Sequence, residues 1–93
     1  MDGGYVFISY ARPDKQYVTR LVEHLEAHGV PTWHDEKIAN GLRWAQVLRS
    51  SIERAAAVLL VESAHAQASR WVEQEIIHAE RHRKPLLLLL LEG

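Results

Sequence analysis

Val30-Pro31-Thr32-Trp33-His34 is the stretch on which the winding of the chain turns. Its β-branched and aromatic residues read as a short strand. Pro31 has no backbone N–H to offer a ladder, so this strand lies at a sheet edge or begins there. Gly29, just before it, is placed to stop a helix whose face is marked by Tyr17, Val18, Leu21, Val22 and Leu25. Pro13 or Asp14 is suited to open that helix. Further upstream, Tyr5–Tyr10 is a β-branched and aromatic run behind a Gly pair, read as a strand buried on both faces.

Downstream, Asp35–Leu42 reads as a polar loop with a turn signal at Asn40-Gly41. A second helix follows with Trp44, Val47, Leu48 and Ile52 on one face. Ala55–Val61 is continuously apolar, a buried strand. The sequence assigns no conformation to the connection 62–68. Ser69 fits the N-cap of a third long helix running to about Arg83, whose basic end complements the helix dipole. Leucine is a good helix former, but Pro85 and the short length favour a fourth strand over Leu86–Leu91.

Strands alternating with helices imply a parallel sheet, helices on both faces and right-handed crossovers. With the second strand at the edge, the expected architecture is a flavodoxin-like α/β fold in the order 2-1-3-4. Its ligand crevice lies at the C-terminal ends of strands one and three, at Tyr10–Asp14 and Glu62–Ser69.

The chain of 93 residues is read as one small domain, 47% hydrophobic and 25% charged, as soluble globular proteins are. A formal net charge of −1 without a basic block gives no sign of nucleic-acid binding. The absence of cysteine excludes disulfides, thiolate metal sites and cysteine nucleophiles, and fits a cytoplasmic location. The N-terminus does not read as a signal peptide, and the apolar run of leucines is far short of the roughly 20 residues a membrane helix needs.

The third long helix carries two neighbouring stripes. Val72, Ile76 and Ala79 recur at helical spacing and should face the core. Trp71 and Glu75 sit four apart on the next stripe. An indole beside a carboxylate at a core rim suits a flat cationic or aromatic ligand; a half-buried Trp beside a solvated Glu is the plainer alternative. Arg12, at the end of the first strand, is placed either to meet phosphate or to pair with Asp14. Neither a dinucleotide fingerprint nor a phosphate-binding Gly-Lys loop is present. His78 and His82 are four apart with Glu75 three before, spacings that suit a metal. The sequence offers them no second ligand set, so no metal site is expected.

Taken in order, the chain resembles a Toll/interleukin-1 receptor (TIR) domain of the bacterial type. Phe7-Ile8-Ser9-Tyr10-Ala11-Arg12 resembles the family's first box. Trp33-His34-Asp35, the loop to Asn40-Gly41 and Trp44 resemble its second strand and the following loop, called BB. Ser69-x-Trp71-Val72-x-x-Glu75 is similar to its helical signature, and Lys84-Pro85 with the leucines to its fourth strand. The resemblance covers about residues 5–93, with Val72 where the signature often has Cys. The family's usual fifth strand is missing from this chain, which is therefore expected to be C-terminally truncated or part of a larger protein.

The resemblance implies one of two roles. Some TIR domains cleave NAD at the nicotinamide–ribose bond, giving ADP-ribose or a cyclic isomer, many in bacterial antiphage defence; others are scaffolds that bind further TIR domains. For the enzymatic role it implies Glu75 as the catalytic residue. Tyr10, Ala11, Arg12, Gly41, Trp44 and Trp71 fall on the substrate side, and Ile38, Asn40 and Leu42 on an assembly loop. It implies self-association, a fused or partner sensor domain, and no cofactor, NAD being the substrate.

Overall fold

The computed structural model describes residues 4–34 and 42–91, with the backbone alone for 42–45. A parallel four-stranded sheet runs in the order β2-β1-β3-β4, with β1 Val6–Ser9, β2 Thr32–His34, β3 Ala57–Glu62 and β4 Leu86–Leu90. In register, Phe7 lies opposite Trp33 on one side and Val58 on the other, and Val58 opposite Leu86. The expected winding is thus present, with the Pro31 strand at one edge. Pro31 contributes only its carbonyl, which accepts from the Val6 N–H.

β1 is sandwiched between helices, so its side chains are apolar on both faces. Ile8 packs with Val18 and Val22 of α1 (Lys15–Ala27) and with Val61. Phe7 faces the opposite layer, where it packs with Val58, Ala79 and with Leu48 and Ile52 of α2 (Leu42–Arg54), and stacks on Trp33 at a ring separation of 5.1 Å. Fully burying a side chain such as Phe7 or Ile8 contributes roughly 1.5–3 kcal/mol, and both are at most 1% exposed.

The connection left open by the sequence holds a short helix, α3 (Ala64–Gln67), followed by α4 (Arg70–Arg81). Its four residues are too few to show a helical period, but Ser63 caps it by accepting the Ala66 N–H. α1 and α4 end alike. The Val30 N–H bonds back to the Leu25 carbonyl and the Lys84 N–H to that of Ala79, each across a residue at positive φ. That residue is Gly29 after α1 and Arg83 after α4.

β4 forms the other edge. Leu86, Leu87, Leu88 and Leu90 are 40–67% exposed, and among the described residues no further strand pairs with it. No described helix is long and apolar enough to cross a membrane.

Candidate functional site

The site is built on the first half of α4. Ser69 caps the helix by accepting the Val72 N–H at 3.2 Å, which fixes its start and hence its rotation. Val72, Glu75 and Ala79 are its buried residues, a stripe at spacings of three and four. Glu75 is 5% exposed and Trp71 42%. This reverses the plainer expectation of a half-buried indole beside a solvated carboxylate, and Ile76 lies half-buried beside the stripe.

A carboxylate is buried only where donors meet it. Ser9, the last residue of β1 and fully buried, donates its hydroxyl to Glu75 Oε1 at 2.6 Å. Glu75 therefore stands at the C-terminal end of β1, where the winding places a ligand crevice. Ser9 is not a candidate site residue of the sequence. Its signal was there: a hydroxyl inside a strand expected to be buried on both faces requires a partner.

Glu75 and Trp71 both line a cleft of about 340 Å³ between α2 and α4. Leu48 and Ile52 give it apolar surface, Trp71 an exposed indole, and Arg49 and Arg81 guanidinium groups; Gln74, Ile77 and His78 complete the lining. An exposed indole suits a flat ring, a carboxylate suits a cationic group, and guanidinium groups suit anions. His78 bonds through Nε2 to Glu53 Oε2 at 2.8 Å, and this bond holds the Glu53 carboxyl below its usual range.

The other sequence-chosen residues are distributed differently. Tyr10 points to the opposite layer, packed against the Ile8–Val18 cluster with its ring 6.3 Å from that of His34. Ala11 is buried with Ala66 and Val72. Arg12 is exposed in a 3-10 turn, Arg12–Asp14, and does not line the cleft. Its alternative partner Asp14 is instead engaged by Ser63, whose hydroxyl donates to Asp14 Oδ2 at 2.5 Å. Ile38, Asn40 and Gly41 lie outside the described residues. Leu42 and Trp44 fall in the first turn of α2, their side chains likewise outside the description.

The family model of the TIR domain matches residues 6–93. The chain belongs to the TIR domain family. Solved structures similar to it include the TIR domains of the activated Roq1 resistosome that recognises the pathogen effector XopQ, with a TM-score of 0.77 and 21% identity over 95% of this chain and 57% of that one. The TIR domain of the Toll-related receptor TRR-2 from Hydra magnipapillata aligns at 0.77 and 21% identity, over 89% of this chain and 66% of that one. The CMP N-glycosidase BcmB of Clostridium botulinum aligns at 0.73 and 19% identity, over 92% of this chain and 71% of that one. The chain thus spans less than two thirds of the first two. No curated protein matches it.

Proposed function

We propose that this TIR domain cleaves the N-glycosidic bond between nicotinamide and ribose in NAD, with Glu75 as the catalytic carboxylate. The observation that carries this reading is the buried Glu75, held by Ser9 and opening with Trp71 onto one cleft. In the reaction the C–N bond breaks and its electron pair returns to the nicotinamide ring, neutralising the ring's positive charge. The ribose is left as an oxocarbenium-like cation, which a fixed carboxylate stabilises electrostatically. Water then adds to the anomeric carbon and loses a proton, giving ADP-ribose. Attack by a group of the same molecule gives a cyclic isomer. The leaving group is already cationic, so no cofactor is needed.

Membership of a family that includes such enzymes supports this reading, as does the likeness in fold to an N-glycosidase. The cleft adds support from its chemistry: indole and carboxylate for the nicotinamide half, Arg49 and Arg81 for the phosphates. Self-association belongs to the same proposal, since the similar Roq1 structure is one of TIR domains in an activated resistosome. Antiphage signalling with a fused or partner sensor domain is the setting the proposal implies.

The test is nicotinamide release by wild type, Glu75→Gln and Glu73→Gln with assembly enforced by fusion or crowding. Glu73 is exposed on another side of α4, so its variant should match wild type while Glu75→Gln loses turnover. No release from an assembled wild type, or equal release from Glu75→Gln, would favour a non-catalytic scaffold that binds other TIR domains.

A further inference from the structure

His82 follows His78 by one helical turn, and its imidazole is turned to the same carboxylate. His82 Nε2 lies 3.4 Å from Glu53 Oε2, and His78 Nε2 lies 2.8 Å from it. The two rings are 4.5 Å apart, and one ligand atom from each of the three residues falls within 4.8 Å of the others. A hydrogen-bonded surface pair accounts for His78 and Glu53 alone. Here a second imidazole converges on the same oxygen.

The sequence set the two histidines aside for want of a second ligand set, and the fold supplies it. Glu53 is in the last turn of α2, 25 residues before His78 in the chain, and packing of α2 on α4 brings it across. We infer that Glu53, His78 and His82 form a binding site for a divalent transition-metal ion of the zinc class, tying α2 to α4 at one end of the cleft.

The donor set is two neutral imidazoles and one carboxylate, which zinc accepts with a fourth position left to water. Ligand atoms around a tetrahedral zinc ion stand about 3.3 Å apart, given metal–ligand distances near 2.0–2.1 Å. The observed spacings bracket that value, so side-chain rotation suffices to close the site. Glu53 and His82 are each 42% exposed, which leaves the outer side open to solvent, and His78 is 16% exposed. Magnesium and calcium prefer all-oxygen shells and are the discriminating controls. The site would act on the cleft through position, because His78 lines it one turn beyond Glu75.

The test is calorimetric titration of the untagged full chain with zinc chloride, and separately with magnesium chloride, together with the melting temperature in each. Wild type should bind one zinc ion, melt higher with it, and ignore magnesium. His82→Ala and Glu53→Gln should each weaken zinc binding tenfold or more. The α1 pair His24 and His28 offers an internal control: the rings are also 4.5 Å apart and the residues four positions apart in the chain, but among the described residues they belong to no such three-residue cluster. The double variant His24→Ala/His28→Ala should bind zinc as wild type does. Absence of zinc binding by wild type at millimolar concentration would overturn the proposal. So would binding that survives both His82→Ala and Glu53→Gln, or binding lost with the α1 pair. The shift in wild-type melting is read without any variant, so a misfolded variant does not remove the test.

Discussion

Ser9 and Glu75, 66 residues apart in the chain, meet through a 2.6 Å hydrogen bond inside the protein. The bond joins the end of β1 to the second turn of α4, and it makes the proposed catalytic carboxylate part of the packed interior. Two substitutions separate its structural from its chemical share. Ser9→Ala removes one donor from a buried side chain and should destabilise the chain by about 1–3 kcal/mol. It should also lower nicotinamide release, because the Glu75 side chain is held less firmly. Glu75→Gln keeps the side chain's shape and an acceptor for Ser9, so stability should stay within about 1 kcal/mol of wild type. Turnover should nevertheless fall roughly 100-fold or more. Urea denaturation and nicotinamide release, measured side by side, check both; a Glu75→Gln variant that loses turnover only in proportion to its folded fraction would make Glu75 a structural residue.

Trp71 presents the reverse balance. Its indole is 42% exposed on the cleft wall and belongs to none of the core clusters. Trp71→Ala should change stability by no more than about 0.5–1 kcal/mol. If the indole stacks on the substrate before and during reaction, KM should rise with little change in kcat. Steady-state kinetics at several NAD concentrations distinguish this from a fall in kcat alone.

The contrast between Glu75 and Trp71 shows how far the sequence could be read. The run Tyr5–Tyr10, Pro31, the apolar run before Glu62 and the leucines after Pro85 are local signals, and they suffice for four strands and their order. Periodicity takes the rotation of α4 from Val72, Ile76 and Ala79, because it counts apolar residues only. Val72, Glu75 and Ala79 form an equally regular stripe, and a carboxylate within it is invisible to that count. The missing information was Ser9, a partner distant in sequence that only the fold brings near. Glu53 was hidden from His78 and His82 for the same reason. Sites assembled across elements are lost to a reading that proceeds element by element.

Ser63 serves two groups with one hydroxyl, accepting the Ala66 N–H at 3.0 Å and donating to Asp14 at 2.5 Å. It therefore caps α3 and holds the start of α1 to the end of β3. Asp14 is only 9% exposed, so its carboxylate depends on that donor. Ser63→Ala removes the cap and the donor together and should cost about 2–3 kcal/mol. Ser63→Thr, which keeps the hydroxyl, should recover most of it in the same denaturation experiment.

Arg83 takes φ 55° at the end of α4, a conformation in which a Cβ is crowded by the backbone. Gly29 occupies the equivalent place after α1 without that cost. Arg83→Gly should therefore stabilise the chain by about 0.5–1 kcal/mol, the relief of strain being partly offset by a freer unfolded chain. A melting temperature unchanged or lowered in Arg83→Gly would show that the arginine side chain contributes more than its backbone conformation costs.

Tyr5 gives the chain a pH dependence at the alkaline end. Its phenol donates to the Ser51 carbonyl at 2.5 Å, fastening the start of β1 to α2. Burial pushes its pKa above the ordinary value of 10.0. Below pH 10 the phenol is protonated in both folded and unfolded chains, and its contribution to stability is fully present. As the pH rises past 10 the unfolded chain gives up this proton first, and stability falls until the folded phenol has ionised too. Tyr5→Phe has no such proton. It should be less stable than wild type by about 1 kcal/mol at neutral pH, the worth of the lost hydrogen bond. Above pH 10 the gap should narrow, because only wild type loses this contribution. Every other group of the chain is common to the two proteins and cancels in the difference. Urea midpoints of the two proteins from neutral pH to pH 11 test this: a gap that stays constant throughout would mean that the phenol ionises as freely in the folded chain as in the unfolded one.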